Sequence, residues 1–137
     1  KKYIPESINI STSLYKKKLE KNINVISDIC EPYISKNKKI SLWGAGSSGS
    51  AALSYYNIPS KHIDFIIDSD PNKWGMEFLS NSIPIISPKE AKLKNPDLVI
   101  IASMYSKTIQ KKIKNYGFDS AVLSIYPDVL FMNKNQI

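Results

Sequence analysis

Ile40-Ser-Leu-Trp-Gly44-Ala-Gly46-Ser-Ser-Gly49-Ser-Ala-Ala-Leu53 decides how the rest of the chain is to be read. A mainly apolar stretch runs into glycines at the first, third and sixth places of a six-residue turn, and small and apolar residues follow. That order predicts a strand, a tight turn and a helix. The first glycine permits the turn, the second lets a pyrophosphate approach the backbone, and the third lets the helix pack on its strand. Anions then meet the unpaired N–H groups at the helix start. Asp68 stands 24 residues beyond Gly44, near the separation of about 20 at which a carboxylate accepts from ribose hydroxyls.

Outward from this stretch, strands and helices alternate. Upstream, Tyr15, Leu19, Ile23, Ile26, Ile29, Cys30, Tyr33 and Ile34 recur at three- and four-residue spacing. They predict one helix face, starting near Ser11, Thr12 or Ser13 and ending around Pro32. Lys39 to Trp43 reads as the first strand, and the helix after the glycines runs from about Ser47 to Asn57. Ile63 to Ile67 reads as a second strand buried on both faces, as parallel strands are. Residues 69–82 read as a loop, and Ile83 to Ile86 as a short strand. Ser87-Pro88-Lys89-Glu90 combines a cap, a proline at the first helical position and a glutamate three on, so a short helix runs to about Lys94. Leu98 to Ile101, Ser106 to Tyr116 with Gly117 as stop, and Ala121 to Ile125 complete the order as strand, helix and strand.

Right-handed crossovers make this a Rossmann-like doubly wound parallel sheet of about five strands, a three-layer α/β/α architecture behind an N-terminal helix. Its simplest strand order is 3-2-1-4-5, with the switch point between strands one and four. The expected organisation is an N-terminal helical connector over residues 1–37 and a nucleotide-binding domain over 38–137. The crevice beyond the strand ends gathers Gly44, Ala45, Gly46, Ser47, Ser48 and Gly49 with Asp68, Ser69, Asp70, Lys73, Ser103 and Tyr105. These are the candidate ligand-binding residues. Ser47 and Ser48 could donate to phosphate, and Lys73 could reach one from its loop. Asp68 suits ribose hydroxyls and disfavours a 2′-phosphate; Asp68 and Asp70 could equally cap the Asp-Pro turn.

Composition narrows the function. All 19 basic residues are lysine, so the bidentate guanidinium fork that reads guanine is missing despite a net charge of +7. No nucleic-acid partner is expected, and Lys16-Lys17-Lys18, Lys38-Lys39 and Lys111-Lys112 read as solvated faces. The single Cys30 excludes an internal disulfide and reads as a buried small hydrophobe. His62 has no companion at metal-ligand spacing, and no Tyr-x-x-x-Lys pair occurs, so neither a metal site nor a catalytic residue is expected. Trp43 reads as a core residue, whereas Trp74 suits either packing or stacking on a base. No apolar run reaches the ~20 residues of a membrane span. A cytoplasmic domain excised from a larger protein is the expectation.

The succession Trp43 to Gly49, Ile63-Asp-Phe-Ile-Ile-Asp68-Ser-Asp-Pro-Asn-Lys73-Trp-Gly75, Ile83 to Pro88 and Pro96 to Ile101 resembles the C-terminal Rossmann-like domain of sugar C-methyltransferases. It is also similar to the nucleotide-binding domain of polysaccharide-biosynthesis epimerases and dehydratases. The resemblance implies a module for a nucleotide or nucleotide-sugar ligand in polysaccharide or natural-product assembly, with methyl transfer carried by an upstream catalytic domain. The alternatives are an NAD-binding domain of an epimerase or dehydratase, or a non-catalytic assembly module. The ligand's identity stays open between nucleotide sugar and NAD. A bulky side chain at Gly46 is expected to block phosphate with little loss of folding.

Overall fold

The computed structural model describes residues 6–78 and 82–134, with side chains from Ser13 onward. Helix α1 (Glu6–Ser35) leads into strand β1 (Ile40–Trp43) and helix α2 (Ser47–Tyr55). Strands β2 (Ile63–Ile67), β3 (Glu77–Phe78) and β4 (Ile83–Ile86) follow, then α3 (Pro88–Lys94), β5 (Leu98–Ile101), α4 (Ser106–Tyr116), β6 (Ala121–Ser124) and β7 (Leu130–Met132). Single 3-10 turns occupy Ser60–His62 and Pro71–Lys73.

The sheet runs β3-β4-β2-β1-β5-β6-β7. Its five central strands are parallel and have the 3-2-1-4-5 order expected of a doubly wound sheet. Two short antiparallel strands close the edges: β3 on β4 and β7 on β6. The sequence shows neither, because two and three residues are too few to establish a period. The 69–82 segment is therefore more ordered than a plain loop, holding a 3-10 turn and β3; its residues 79–81 lie outside the described residues.

Successive strand residues point to opposite faces, and each face carries its own core. Leu42, Ile66, Ile100 and Leu123 pack with Ile26 and Cys30 of α1 and Ala52 of α2. Trp43, Ile67, Ile101 and Val122 pack with Ala91 of α3 and Ile109 and Ile113 of α4. Helix α1 exceeds its expected limits at both ends. Ser11, Thr12 and Ser13 lie inside it, and it passes Pro32 to end at Ser35. Proline forfeits one backbone bond there, within the last turn. Ile29, Tyr33 and Ile34 on either side of it pack against the core and hold the helical path.

Two carboxylates start the central strand. Asp97 accepts the Lys39 N–H at 2.8 Å, and Asp64 accepts the Ile40 N–H at 3.0 Å. Asp64 can do so because β2 bulges: Ile40 pairs with Ile63 but Ser41 with Phe65, leaving Asp64 as the extra, exposed residue.

Ser41 lies fully buried in β1, and its hydroxyl has no partner among the described residues. Ser41→Ala should therefore raise stability by about 1 kcal/mol, seen as a higher urea midpoint; a lower midpoint would show that the hydroxyl is satisfied. Burial pushes the Cys30 thiol up from 9.0 to about 11. The unfolded thiol ionises first, so this contribution to stability is whole below pH 9 and is lost as pH rises through about 11. The urea midpoint should fall across that window, and Cys30→Ala should remove part of the fall. Burial also raises Tyr33, Tyr56 and Tyr126, which should sustain the remainder.

Candidate functional site

The glycine turn joins β1 to α2 at the carboxyl end of the sheet, beside the switch point between β1 and β5. Gly44 takes a φ of 130°, and a Cβ there would lie 2.5 Å from the Ala102 carbonyl oxygen of the β5 strand end. A Cβ on Gly49 would collide with the Gly44 carbonyl. Both glycines are thus demanded by close backbone approach. Gly46 differs: its backbone is extended, and a Cβ placed on it meets nothing within 4 Å. Gly46 caps α2, and no side chain bonds the first turn of that helix. Ser47 is exposed and Ser48 half-buried there, and the Ser48 carbonyl accepts from the Tyr126 hydroxyl at 3.2 Å.

Asp68, at the end of β2, is the hub of the opposite lip. One carboxylate oxygen accepts the Ala45 N–H at 2.9 Å, and the other accepts the Asp70 N–H at 2.8 Å. Its main-chain carbonyl takes the Trp74 indole N–H at 2.7 Å. Lys73 donates to the Ala45 carbonyl at 3.0 Å and stands 3.8 Å from the Asp68 carboxylate. Asp70 turns away to accept the Asn72 N–H at 3.0 Å, capping the Pro71–Lys73 turn. Of the two readings of these carboxylates, Asp70 displays the capping one, and Asp68 clasps two loops together. Trp74 is 42% exposed and fixed by its own N–H bond.

Across the crevice, Ser103 accepts the Tyr105 N–H at 3.1 Å, which shapes the β5–α4 loop. A hollow of about 260 Å³ lies between the lips, lined by Trp43, Gly44, Asp68, Ser69, Ser103, Tyr105, Thr108, Ile109 and Lys112. Of the candidate residues it brings together Gly44, Asp68, Ser69, Ser103 and Tyr105. Ala45, Gly46, Ser47, Ser48, Gly49, Asp70 and Lys73 lie outside its lining. Trp43 is its floor, buried against Phe118. Thr108 and Lys112 also line it without any signal in the sequence: they sit one helical turn apart on α4, and a lysine pair in a basic helix gives no sign of which member points inward. Lys112 donates to the Ser69 hydroxyl at 3.0 Å, bridging the two lips, so it is no free solvated charge.

Large apolar side chains crowd the rim. Trp74 and Met76 on one lip and Met104 and Tyr105 on the other are all exposed. A larger hollow of about 440 Å³ beside α1 and Phe131 lies toward the amino ends of the strands. Among the described residues no group of three His, Cys, Asp or Glu could hold a metal. The arrangement offers backbone N–H groups, hydroxyls and lysine amines, which suit anion binding.

The model of the family described as the C-methyltransferase C-terminal domain matches residues 11–123. No curated protein matches the chain. Among solved structures, the chain is similar to RSP, a Rex-family repressor, at 12% identity and a TM-score of 0.47, covering 95% of this chain and 84% of that one. The same repressor in complex with beta-NADH aligns at 12% identity and a TM-score of 0.46, again over 95% and 84%. Its complex with beta-NAD+ and operator DNA gives 11% and 0.46, over 95% and 83%. Those ligands are the repressor's own.

Asp68→Ala leaves two backbone N–H groups without their acceptor and should cost about 2–4 kcal/mol in urea unfolding. Lys73→Met should cost under about 1 kcal/mol, the scale of a half-exposed ion pair. Equal losses from the two would refute the carboxylate clasp.

Proposed function

The chain belongs to the C-methyltransferase C-terminal domain family, and from that premise we propose that it is the nucleotide-binding domain of a larger sugar-modifying methyltransferase. Its ligand is a nucleotide sugar, with the diphosphate at Gly44 to Gly49. The observation that carries this reading is Gly46. Packing accounts for Gly44 and Gly49, but the fold makes no demand on Gly46, where a side chain would enter open space at the start of α2. A glycine with room to spare, beside an uncapped helix start, fits a phosphate approaching the backbone.

The remaining residues take supporting parts. Lys73, held at the Ala45 carbonyl, supplies positive charge at the turn. Asp68 keeps the turn open to the ligand and has lone pairs left for a ribose hydroxyl. The exposed rim of Trp74, Met76, Met104 and Tyr105 suits contact with an upstream catalytic domain that brings the methyl donor and the acid–base residues. Residues 1–37 form the connector to that domain, moored to the sheet by Ile26 and Cys30. The setting is the assembly of surface polysaccharides or related natural products, in the cytoplasm. Among the described residues no helix is long and apolar enough to cross a membrane.

The test is thermal unfolding of the chain and of Gly46→Asp with UDP-, dTDP- and GDP-sugars and with NAD. At 100 times its dissociation constant a ligand stabilises by about 2.7 kcal/mol. Aspartate is a good helix cap, so Gly46→Asp should melt no lower than the parent, while its carboxylate repels the phosphate and abolishes the ligand shift. Stabilisation by NAD alone would favour the dehydratase-type alternative. An undiminished shift in Gly46→Asp, or none from any nucleotide, would sink the phosphate site.

A further inference from the structure

We propose that Lys112 and Ser69 form an oxyanion subsite in the crevice, which selects ligands carrying an anionic group beyond the diphosphate. The inference rests on the nucleotide reading of the glycine turn and specifies which nucleotides the crevice prefers.

Lys112 is placed unlike its neighbour. Lys111 is exposed, whereas Lys112 is half-buried and lines the hollow with Thr108 one turn before it. Its amine spends one N–H on the Ser69 hydroxyl, a neutral acceptor from the opposite lip. Among the described residues no carboxylate lies within 4 Å of it, since the ion pairs found are Lys18–Asp128, Lys73–Asp68 and Lys134–Asp119. The amine therefore keeps two N–H groups for another acceptor, and Ser69, already accepting, keeps its O–H to donate. Together they present convergent donors and a positive charge to one side of the cavity.

Asp68, the other charged residue lining the hollow, does not offset this charge. Its two carboxylate oxygens are turned to the Ala45 and Asp70 N–H groups, and Lys73 stands 3.8 Å away as its counter-ion. Asp70 faces the Asn72 N–H, outside the hollow. With Lys73 as its counter-ion, Asp68 repels a 2′-phosphate less than a lone carboxylate at this strand end would. Two groups have the required chemistry: a phosphate on the ribose, or a carboxylate on the transferred sugar. In a hollow closed below by Trp43, either would replace the solvent around the amine with charge-assisted hydrogen bonds.

Calorimetric titration with two ligand pairs decides the matter: NADP+ against NAD+, and UDP-glucuronate against UDP-glucose. In each pair only the extra anion changes. The expected result is about tenfold tighter binding of the anionic member in at least one pair; the pair that shows it identifies the source of the anion. Lys112→Met, which keeps the side-chain stem, should abolish that preference, so that the two members of the pair bind this variant with equal affinity. Lys111→Met, the same charge loss one residue away, should retain it. Equal affinities within both pairs, or a preference that survives Lys112→Met, would overturn the subsite while leaving the glycine-turn reading intact. Failure of all four ligands to bind would overturn the subsite, and failure of the dTDP- and GDP-sugars as well would overturn the glycine-turn reading.

Discussion

One carboxylate holds the crevice in shape. Asp68 receives the N–H of Ala45 from the β1–α2 turn and that of Asp70 from the loop after β2, so two backbone segments that share no ladder bonds are tied at one point. The Ala45 N–H is buried and the Asp70 N–H half-buried, so both need an acceptor from the protein, and a charged one binds them more strongly than a neutral one would. Lys73 and Trp74 then attach to the same residue from further along the loop, through the Ala45 carbonyl and the Asp68 carbonyl. The glycine turn is open because this clasp fixes one of its walls and Ala102 crowds the other. Without Asp68 the loop would keep its Asp-Pro turn but lose its seat.

How far the sequence reveals this arrangement depends on the range of each interaction. Elements defined by local chemistry are legible: Ser87 caps α3 through the Glu90 N–H, and Gly117 ends α4 with a φ of 77°. Buried parallel strands are legible too: Leu98 to Ile101 is apolar and buried throughout, and Ile63 to Ile67 is so except at Asp64, the exposed residue of the bulge. The strand order then follows from crossover handedness, which depends on chain chirality rather than on particular residues.

What escapes is set by distance in sequence. The bulge at Asp64 exists to serve the Ile40 N–H, a partner 24 residues away, and nothing around Asp64 signals it. Lys112 and Ser69 are 43 residues apart and meet only because α4 and the β2 loop border the same crevice. Asp68 was legible as a residue of interest from its spacing, yet its spacing says nothing of the two backbone donors it serves. The glycine triplet is likewise legible as a pattern. Only the surroundings separate the two glycines that packing requires from Gly46, which packing does not.

The edge strands bear on how this domain meets other proteins. A parallel sheet that simply stopped at β4 and β6 would present a row of unpaired N–H and C=O groups to any passing strand. Here β3 and β7, of two and three residues, pair antiparallel with those strands and leave borders too short to template another chain. Sheet-to-sheet fusion is thereby discouraged at both margins. Association is steered to the helical layers and to the loop-bearing end, where side chains rather than backbone decide which partner fits.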